Sequence, residues 1–193
     1  SGYCLNCQTC HAGDHNLCPS AEPTIAGRHG GFADKVRAQA TAVVALPESL
    51  DPDKAGPLFC GGITVFNPLV QFNITPTSKV AVVGIGGLGH MAVKLAVSKG
   101  AEVYAFTTSE DKVEDIKSWG AKEVIVVDEE LEALQNYAKT VDYMISTIPY
   151  EFNLGAYVAC IKPGGTFTYV GMPKASSITV NNLALAMAKV NYN

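Results

Sequence analysis

The feature that most constrains the fold is a glycine-rich turn between an apolar strand and a helix. Residues 79–83 form an apolar run suited to a buried parallel strand, and residues 88–98 carry apolar residues at helical spacing. The turn between them fits G-x-G-x-x-G, and in this context its amides and the helix dipole face an anion. A glycine turn without a ligand is the disfavoured alternative. The predicted dinucleotide-binding residues are Gly84, Gly86, Gly87, Leu88 and Gly89.

Strands and helices continue to alternate after this unit. Further strands are predicted at residues 103–106, 124–127, 141–146 and 166–170, and helices at 58–69, 109–119, 129–138 and 154–161. Such alternation indicates βαβ units, in which a doubly wound parallel sheet carries helices on both faces. The predicted fold class is therefore α/β, with a Rossmann-type sheet.

The end of the second strand indicates which dinucleotide binds. NAD-binding folds place Asp or Glu there to accept from the ribose 2′-hydroxyl, whereas this chain has hydroxyls and a lysine that suit a 2′-phosphate. We therefore predict NADP(H), with NAD(H) less favoured. The acidic pair at 110–111 is an argument against NADP(H). The alternative role for the hydroxyl residues is to cap the N-terminus of the following helix. The residues predicted to hold the 2′-phosphate are Thr107, Thr108, Ser109 and Lys112.

Four cysteines with the spacing C-x2-C-x2-C-x7-C predict a closed structural zinc site. The residues are Cys4, Cys7, Cys10 and Cys18. Four thiolates this close in sequence can surround one tetrahedral zinc ion. Two disulfides in a secreted module are the alternative, which the α/β sequence disfavours. Reduced thiols and the lack of a targeting pattern lead us to expect a cytoplasmic protein.

Composition narrows the classes of function. The 193 residues are 48% hydrophobic and 17% charged, with a net charge of −4, and no basic run suggests nucleic acid. No apolar run is long enough to span a membrane. Residues 1–57 are rich in loop formers, with strand-like runs at 32–37 and 42–46. From residue 58 the sequence changes to apolar segments with the spacing of helices and strands. We therefore predict two domains, 1–57 and 58–193.

The cysteine spacing, the segment CGGIT at residues 60–64 and the glycine turn occur in one order that resembles the zinc-dependent medium-chain alcohol dehydrogenases. The stretch 57–66 and the Thr-Thr-Ser strand end are most similar to the cinnamyl alcohol dehydrogenase group of NADPH-dependent aldehyde reductases. The resemblance implies that residues 1–57 are the C-terminal part of a mostly β, GroES-like catalytic domain with a zinc lobe. It also implies that residues 58–193 are an NADP-binding Rossmann domain.

The same resemblance implies roles in hydride transfer between NADP(H) and an alcohol or aldehyde. Cys60 matches a ligand of the catalytic zinc, and Thr64 matches a threonine that touches the nicotinamide. Loops after the fourth and fifth strands match segments that close over the nicotinamide half; their residues are Thr147, Ile148, Gly171 and Met172. A buried apolar cysteine is the alternative for Cys60, and Cys160 is expected to be a core residue.

Several features of the family are not found in this sequence. The remaining catalytic-zinc ligands would precede residue 1, and the sixth strand is expected to be missing because the chain stops at residues 190–193, where it would begin. We therefore expect the chain alone to be inactive, and the intact protein to be a homodimer or homotetramer acting on a small alcohol or aldehyde. The competing hypotheses are a non-catalytic nucleotide-binding protein, an NAD-dependent alcohol or polyol dehydrogenase, and a zinc-free quinone or enoyl reductase.

Overall fold

The computed structural model describes residues 2–172, 185–187 and 189–193. The chain divides into two compact units, Ser1–Lys54 and Ala55–Asn193. This division lies close to the one predicted from the sequence. The assignment of the units to a catalytic and a nucleotide-binding domain stays a prediction.

The second unit is built on one six-stranded parallel sheet in the order β3-β2-β1-β4-β5-β6. The order reverses between β1 and β4, which are neighbours in space and distant in sequence. At such a reversal the connections on either side diverge and leave a crevice outside the carboxyl ends of the strands. The strands are β1 (Lys79–Val83), β2 (Glu102–Thr107), β3 (Glu123–Val126), β4 (Val141–Ser146), β5 (Ile161–Tyr169) and β6 (Asn191–Tyr192).

Helices cover both faces of the sheet, as the sequence predicts. Successive side chains of β1 point to opposite faces, so Val80 and Val82 pack in one apolar cluster while Ala81 and Val83 pack in another. All four are at most 1% exposed, which explains the continuous apolar run. The helices of this unit are α3 (Gly61–Gln71), α4 (Gly87–Ser98), α5 (Val113–Ser118) and α6 (Leu154–Val158), with 3-10 turns at Gly56–Phe59, Glu110–Lys112 and Glu132–Tyr137.

Three predicted details of this unit are corrected by the structure. The helix predicted at 129–138 is a 3-10 turn, because Leu131 before it and Lys139 after it have positive φ angles of 60° and 51°. Strand β5 begins at Ile161, five residues earlier than predicted, since a register shift against β4 accommodates the Pro-Gly-Gly stretch. The sixth strand is not missing: Asn191–Tyr192 pairs with β5.

The first unit has little regular structure. It contains α1 (Gln8–His11) and 3-10 turns at His15–Leu17 and Ala40–Ala42. Helix α2 (Pro52–Ala55) begins in its last residues and ends at the first residue of the second unit. The strands predicted at 32–37 and 42–46 do not form, because no described segment pairs with them, and Phe32 is 95% exposed. A β-prone sequence needs a ladder partner to become a strand. In residues 2–54 the only buried apolar side chains are those of Cys10 and Cys18.

No helix in the described part of the chain has the length and apolar character needed to cross a membrane.

Candidate functional site

The four N-terminal cysteines converge on one point of the first unit. Leu5 adopts a left-handed conformation with φ of 59°, which turns the chain between Cys4 and Cys7. Cys10 then lies in α1, and Cys18 follows the next 3-10 turn. All four sulfur atoms lie within 4.8 Å of one another. The Sγ of Cys18 is 3.9 Å from that of Cys7 and 3.6 Å from that of Cys4.

This sulfur cluster fits a tetrahedral zinc ion. Zinc–sulfur bonds of about 2.3 Å imply an edge of roughly 3.8 Å between sulfurs, close to the two distances observed. All six cysteines are free, whereas a disulfide would need sulfurs at about 2.05 Å. Backbone amides also point at the sulfurs, because Cys4 N donates to Cys18 Sγ and Asn6 N donates to Cys4 Sγ. The donor set therefore suits structural zinc.

Thiol acidity differs sharply within the cluster. A hydrogen bond from the Thr9 hydroxyl, 3.0 Å away, lowers the pKa of Cys7 to about 6. Burial raises the pKa of Cys10 to about 12. Four thiolates can share this space only if a cation offsets their repulsion, since each like charge opposes ionisation of the next. The arrangement therefore suits a metal ion held by four protein sulfurs, with no open position for catalysis.

The second candidate site is a cleft of about 340 Å³ at the carboxyl ends of β1, β2 and β4. It lies at the reversal of strand order, where α/β sheets bind their ligands. Its residues include the turn after β1 and the ends of β2 and β4. Among the described residues that line it, Lys112 carries the only charge, so the cleft is positive.

Glycine is required at two positions of the turn. Gly84 has a φ of 83°, which a side chain would strain. Gly89, in the first turn of α4, contacts the Gly84 carbonyl oxygen so closely that a Cβ there would collide with it. By contrast, a Cβ at Gly86 or Gly87 would meet no atom within 4 Å, so the cleft side of the turn is open.

The amides of the turn are free to donate hydrogen bonds, whereas its carbonyl oxygens already have partners. Its carbonyl oxygens all have neighbours that can donate. Gly84 O accepts from Thr147 Oγ1 at 2.6 Å, Ile85 O from Lys112 Nζ at 3.2 Å and Gly86 O from His90 N at 2.9 Å, and His90 Nδ1 lies 3.1 Å from Gly87 O. The amides of residues 85–88 make no hydrogen bond to any other described residue. Unpaired amides at the start of α4 suit an anion such as a diphosphate.

The end of β2 supplies hydroxyls beside this turn. Thr107 is buried, and its Oγ1 accepts from the Ser109 amide at 3.1 Å. The side chains of Thr108 and Ser109 line the cleft and have no hydrogen-bond partner among the described residues. Ser109 occupies the N-cap position without a capping hydrogen bond, so the capping alternative does not account for its hydroxyl. The acidic residues 110–111 are exposed and do not line the cleft.

The other predicted residues fall into two groups. Thr147 and Ile148 line the cleft. Gly171 lies beside them, because a Cβ there would collide with the Ile148 carbonyl oxygen, whereas Met172 is 87% exposed; neither lines the cleft.

Cys60 and Thr64 also lie outside the lining of the cleft. Cys60 is the exposed N-cap of α3, and its carbonyl accepts from the Thr64 amide at 3.0 Å. Within the described residues, the N-terminal sulfur cluster is the only group of three or more metal-ligating side chains. Cys60 is therefore a single potential ligand here, and its role at a catalytic zinc stays a prediction.

Sequence reasoning missed several cleft residues. Val127 follows β3 and could have been found, because parallel strands end at one edge of the sheet. Tyr157 comes from α6, and no sequence signal shows that its ring reaches the cleft. Burial raises the pKa of Tyr157 to about 12, so its hydroxyl stays neutral. The hydrogen bonds of Thr147 and Lys112 to the turn were also not foreseen.

The strand order, the glycine turn and the positive cleft define the class of dinucleotide-binding α/β proteins. Within that class, residues 87–191 match a family model described as zinc-binding dehydrogenase, and the chain belongs to this family. The aldehyde reductase AdhA of Synechocystis is 46% identical over 172 residues, which cover 89% of this chain and 51% of the relative. The chain thus spans about half the length of the curated relatives it matches.

Solved structures agree in fold. A cinnamyl alcohol dehydrogenase from Sorghum bicolor superposes with a TM-score of 0.89 at 31% identity, over 98% of this chain and 56% of the other. A cinnamyl alcohol dehydrogenase from Helicobacter pylori, crystallised with NADP(H), gives 0.84 at 28% identity, over 98% and 57%. The predicted resemblance to this group is confirmed.

Proposed function

We propose that the chain is the zinc-lobe and NADP(H)-binding part of a zinc-dependent alcohol dehydrogenase or aldehyde reductase. The observation that carries this proposal is the phosphate-binding turn, whose amides are free while its carbonyls are held. Family membership and the similarity to a protein named aldehyde reductase support the reaction class. The substrate of the intact protein would be a small alcohol or aldehyde.

Different residues of the cleft would bind different parts of the cofactor. The free amides of residues 85–88 would bind the diphosphate, helped by the positive end of α4. Thr108 and Ser109 would donate to the 2′-phosphate, and Lys112 would neutralise it. A carboxylate in the place of Thr108 would repel this phosphate. NADP(H) is therefore favoured over NAD(H) by the same residues that form this edge of the cleft.

Bound NADP(H) supplies the hydride chemistry, and this chain supplies position and electrostatics. The loops at 147–148 and 171–172 would lie beside the nicotinamide half and orient its ring. An alcohol dehydrogenase site uses two Cys and one His with one open position. The described residues supply one such thiolate, Cys60, so no step through a catalytic metal is assigned to this chain. The structural zinc would hold the first unit together.

Replacing Thr108 by Asp tests the choice of cofactor. We expect the unaltered chain to bind NADPH more tightly than NADH, measured by titration calorimetry. Thr108→Asp should weaken NADPH binding by about tenfold or more, because a carboxylate would face the 2′-phosphate, and should leave NADH binding nearly unchanged. Thr77→Asp is the matched control, since exposed Thr77 precedes β1 at the opposite edge of the sheet. A preference for NADH that Thr108→Asp leaves unaltered would refute the NADP assignment.

A further inference from the structure

Thr147 is anchored next to the phosphate-binding turn by its own backbone. It follows β4, and its amide donates to the Val83 carbonyl at 2.9 Å, which extends the pairing of β4 with β1 by one residue. Its side chain is branched at Cβ and only 8% of the residue is exposed. Branching and burial both restrict rotation about χ1, so the hydroxyl is held in one place.

That hydroxyl donates to the Gly84 carbonyl oxygen at 2.6 Å. The same oxygen is enclosed on its other side by Gly89, where there is no space for a Cβ. Water is therefore excluded from part of the surface of this carbonyl, and Thr147 supplies its hydrogen bond. Removing the donor from a part-buried acceptor with limited access to water costs free energy, so the orientation of the Gly84 carbonyl depends on this hydroxyl.

The orientation of the Gly84 carbonyl fixes that of the next amide. In a planar trans peptide the C=O and the following N–H point in opposite directions. A carbonyl held toward Thr147 therefore directs the Ile85 amide away from Thr147, and this amide has no acceptor among the described residues. Gly84 has a φ of 83°, and glycine can adopt many other backbone conformations. The peptide that follows Gly84 therefore needs a contact from outside the turn to fix its orientation.

We propose that Thr147 is a positioning residue that presets the phosphate-binding turn of β1 from the end of β4. The Thr147 hydroxyl acts through the Gly84 carbonyl and directs the Ile85 amide toward the diphosphate, and it makes no contact with the cofactor in this role. The proposal rests on the proposed function in one respect, that the turn binds a diphosphate. Thr147 links β1 and β4, the two strands that flank the reversal of strand order. The phosphate-binding turn is therefore formed before the ligand arrives.

The test compares three variants of the zinc-loaded 193-residue chain. Thr147→Val keeps the shape and removes the donor, and we expect NADP+ binding to weaken about tenfold in titration calorimetry. Thr147→Ser keeps the donor and should bind within about threefold of the unaltered chain. Thr166→Val is the matched control, because Thr166 is also 8% exposed, lies in β5 and does not line the cleft; it should bind as the unaltered chain does.

A second readout is independent of cofactor binding. In amide NMR spectra of the ligand-free chain, the signals of Ile85 and Gly86 should shift in Thr147→Val and return in Thr147→Ser. Equal NADP+ affinity of Thr147→Val and the unaltered chain, or equal losses in both Thr147 variants, would overturn the proposal. If the unaltered chain binds no NADP+, the proposed function fails, and the two NMR signals still decide whether Thr147 sets the turn.

Discussion

Replacing Gly89 by Ala should destabilise the second unit by about 3 kcal/mol or more and abolish measurable NADP+ binding. The added Cβ would collide with the Gly84 carbonyl oxygen, which is backbone and cannot move aside as a flexible side chain could. Either α4 must shift away from β1, or the turn must abandon the conformation that exposes its amides. Overpacking of a well-packed interior typically costs about 1–3 kcal/mol, and a backbone collision belongs at or above the upper end. Urea unfolding without nucleotide measures the loss.

Gly87→Ala is the matched control for this prediction. Gly87 is the first residue of α4, its φ is not positive, and a Cβ there would meet no atom within 4 Å. The same substitution should leave stability unchanged or raise it by about 0.5 kcal/mol, because alanine restricts the unfolded chain. Equal unfolding midpoints for the two variants would show that α4 does not pack on the turn as described.

Removal of zinc should unfold the first unit and leave the sheet folded. In residues 2–54 the buried apolar side chains are only those of Cys10 and Cys18, so the sulfur cluster stands in place of a hydrophobic core. Structural zinc supplies about 10–16 kcal/mol in small zinc-binding peptides, which is comparable to the whole free energy of unfolding of a typical domain, about 5–15 kcal/mol. After treatment with a strong chelator, limited proteolysis should cut within residues 2–54 while a fragment of the second unit persists.

Metal analysis of two cysteine variants sharpens this expectation. The unaltered chain should carry one zinc per molecule, and Cys10→Ser should lose it. Cys60→Ser is the control, since Cys60 is exposed and outside the cluster, and it should retain the metal. Paired disulfides among Cys4, Cys7, Cys10 and Cys18 in the freshly purified protein would contradict the zinc assignment.

The sheet could be predicted because its physical requirements are local. Strands β1, β2 and β4 are buried on both faces and the edge strand β3 is buried in part, so each appears as a short apolar run. The predicted positions agree with the structure to within about two residues. The glycine turn was equally predictable, because φ of 83° at Gly84 and the close packing of Gly89 leave few other residues possible. The lining residues at the ends of β2 and β4 were predicted from the cofactor argument and the family resemblance, whereas Val127 after β3 was missed.

The features that the sequence did not predict depend on contacts between segments that are distant in the chain. Tyr157 reaches the cleft only because α6 packs where it does, with its ring edge-on to Phe106 at 6.2 Å. The strand-like runs at 32–37 and 42–46 have β propensity without a described partner, and propensity alone does not form a ladder. The predicted fifth strand omits the Pro-Gly-Gly stretch of β5, because a register shift leaves no sequence signature of its own.

The first unit has almost no buried apolar side chains, and this should determine which of its residues can be substituted without loss of stability. In residues 2–54 nearly every side chain meets solvent, so most replacements there remove no packing and alter the folding equilibrium little. In a mutational scan of this chain, tolerance should therefore be high along most of this stretch and absent at the four sulfur positions.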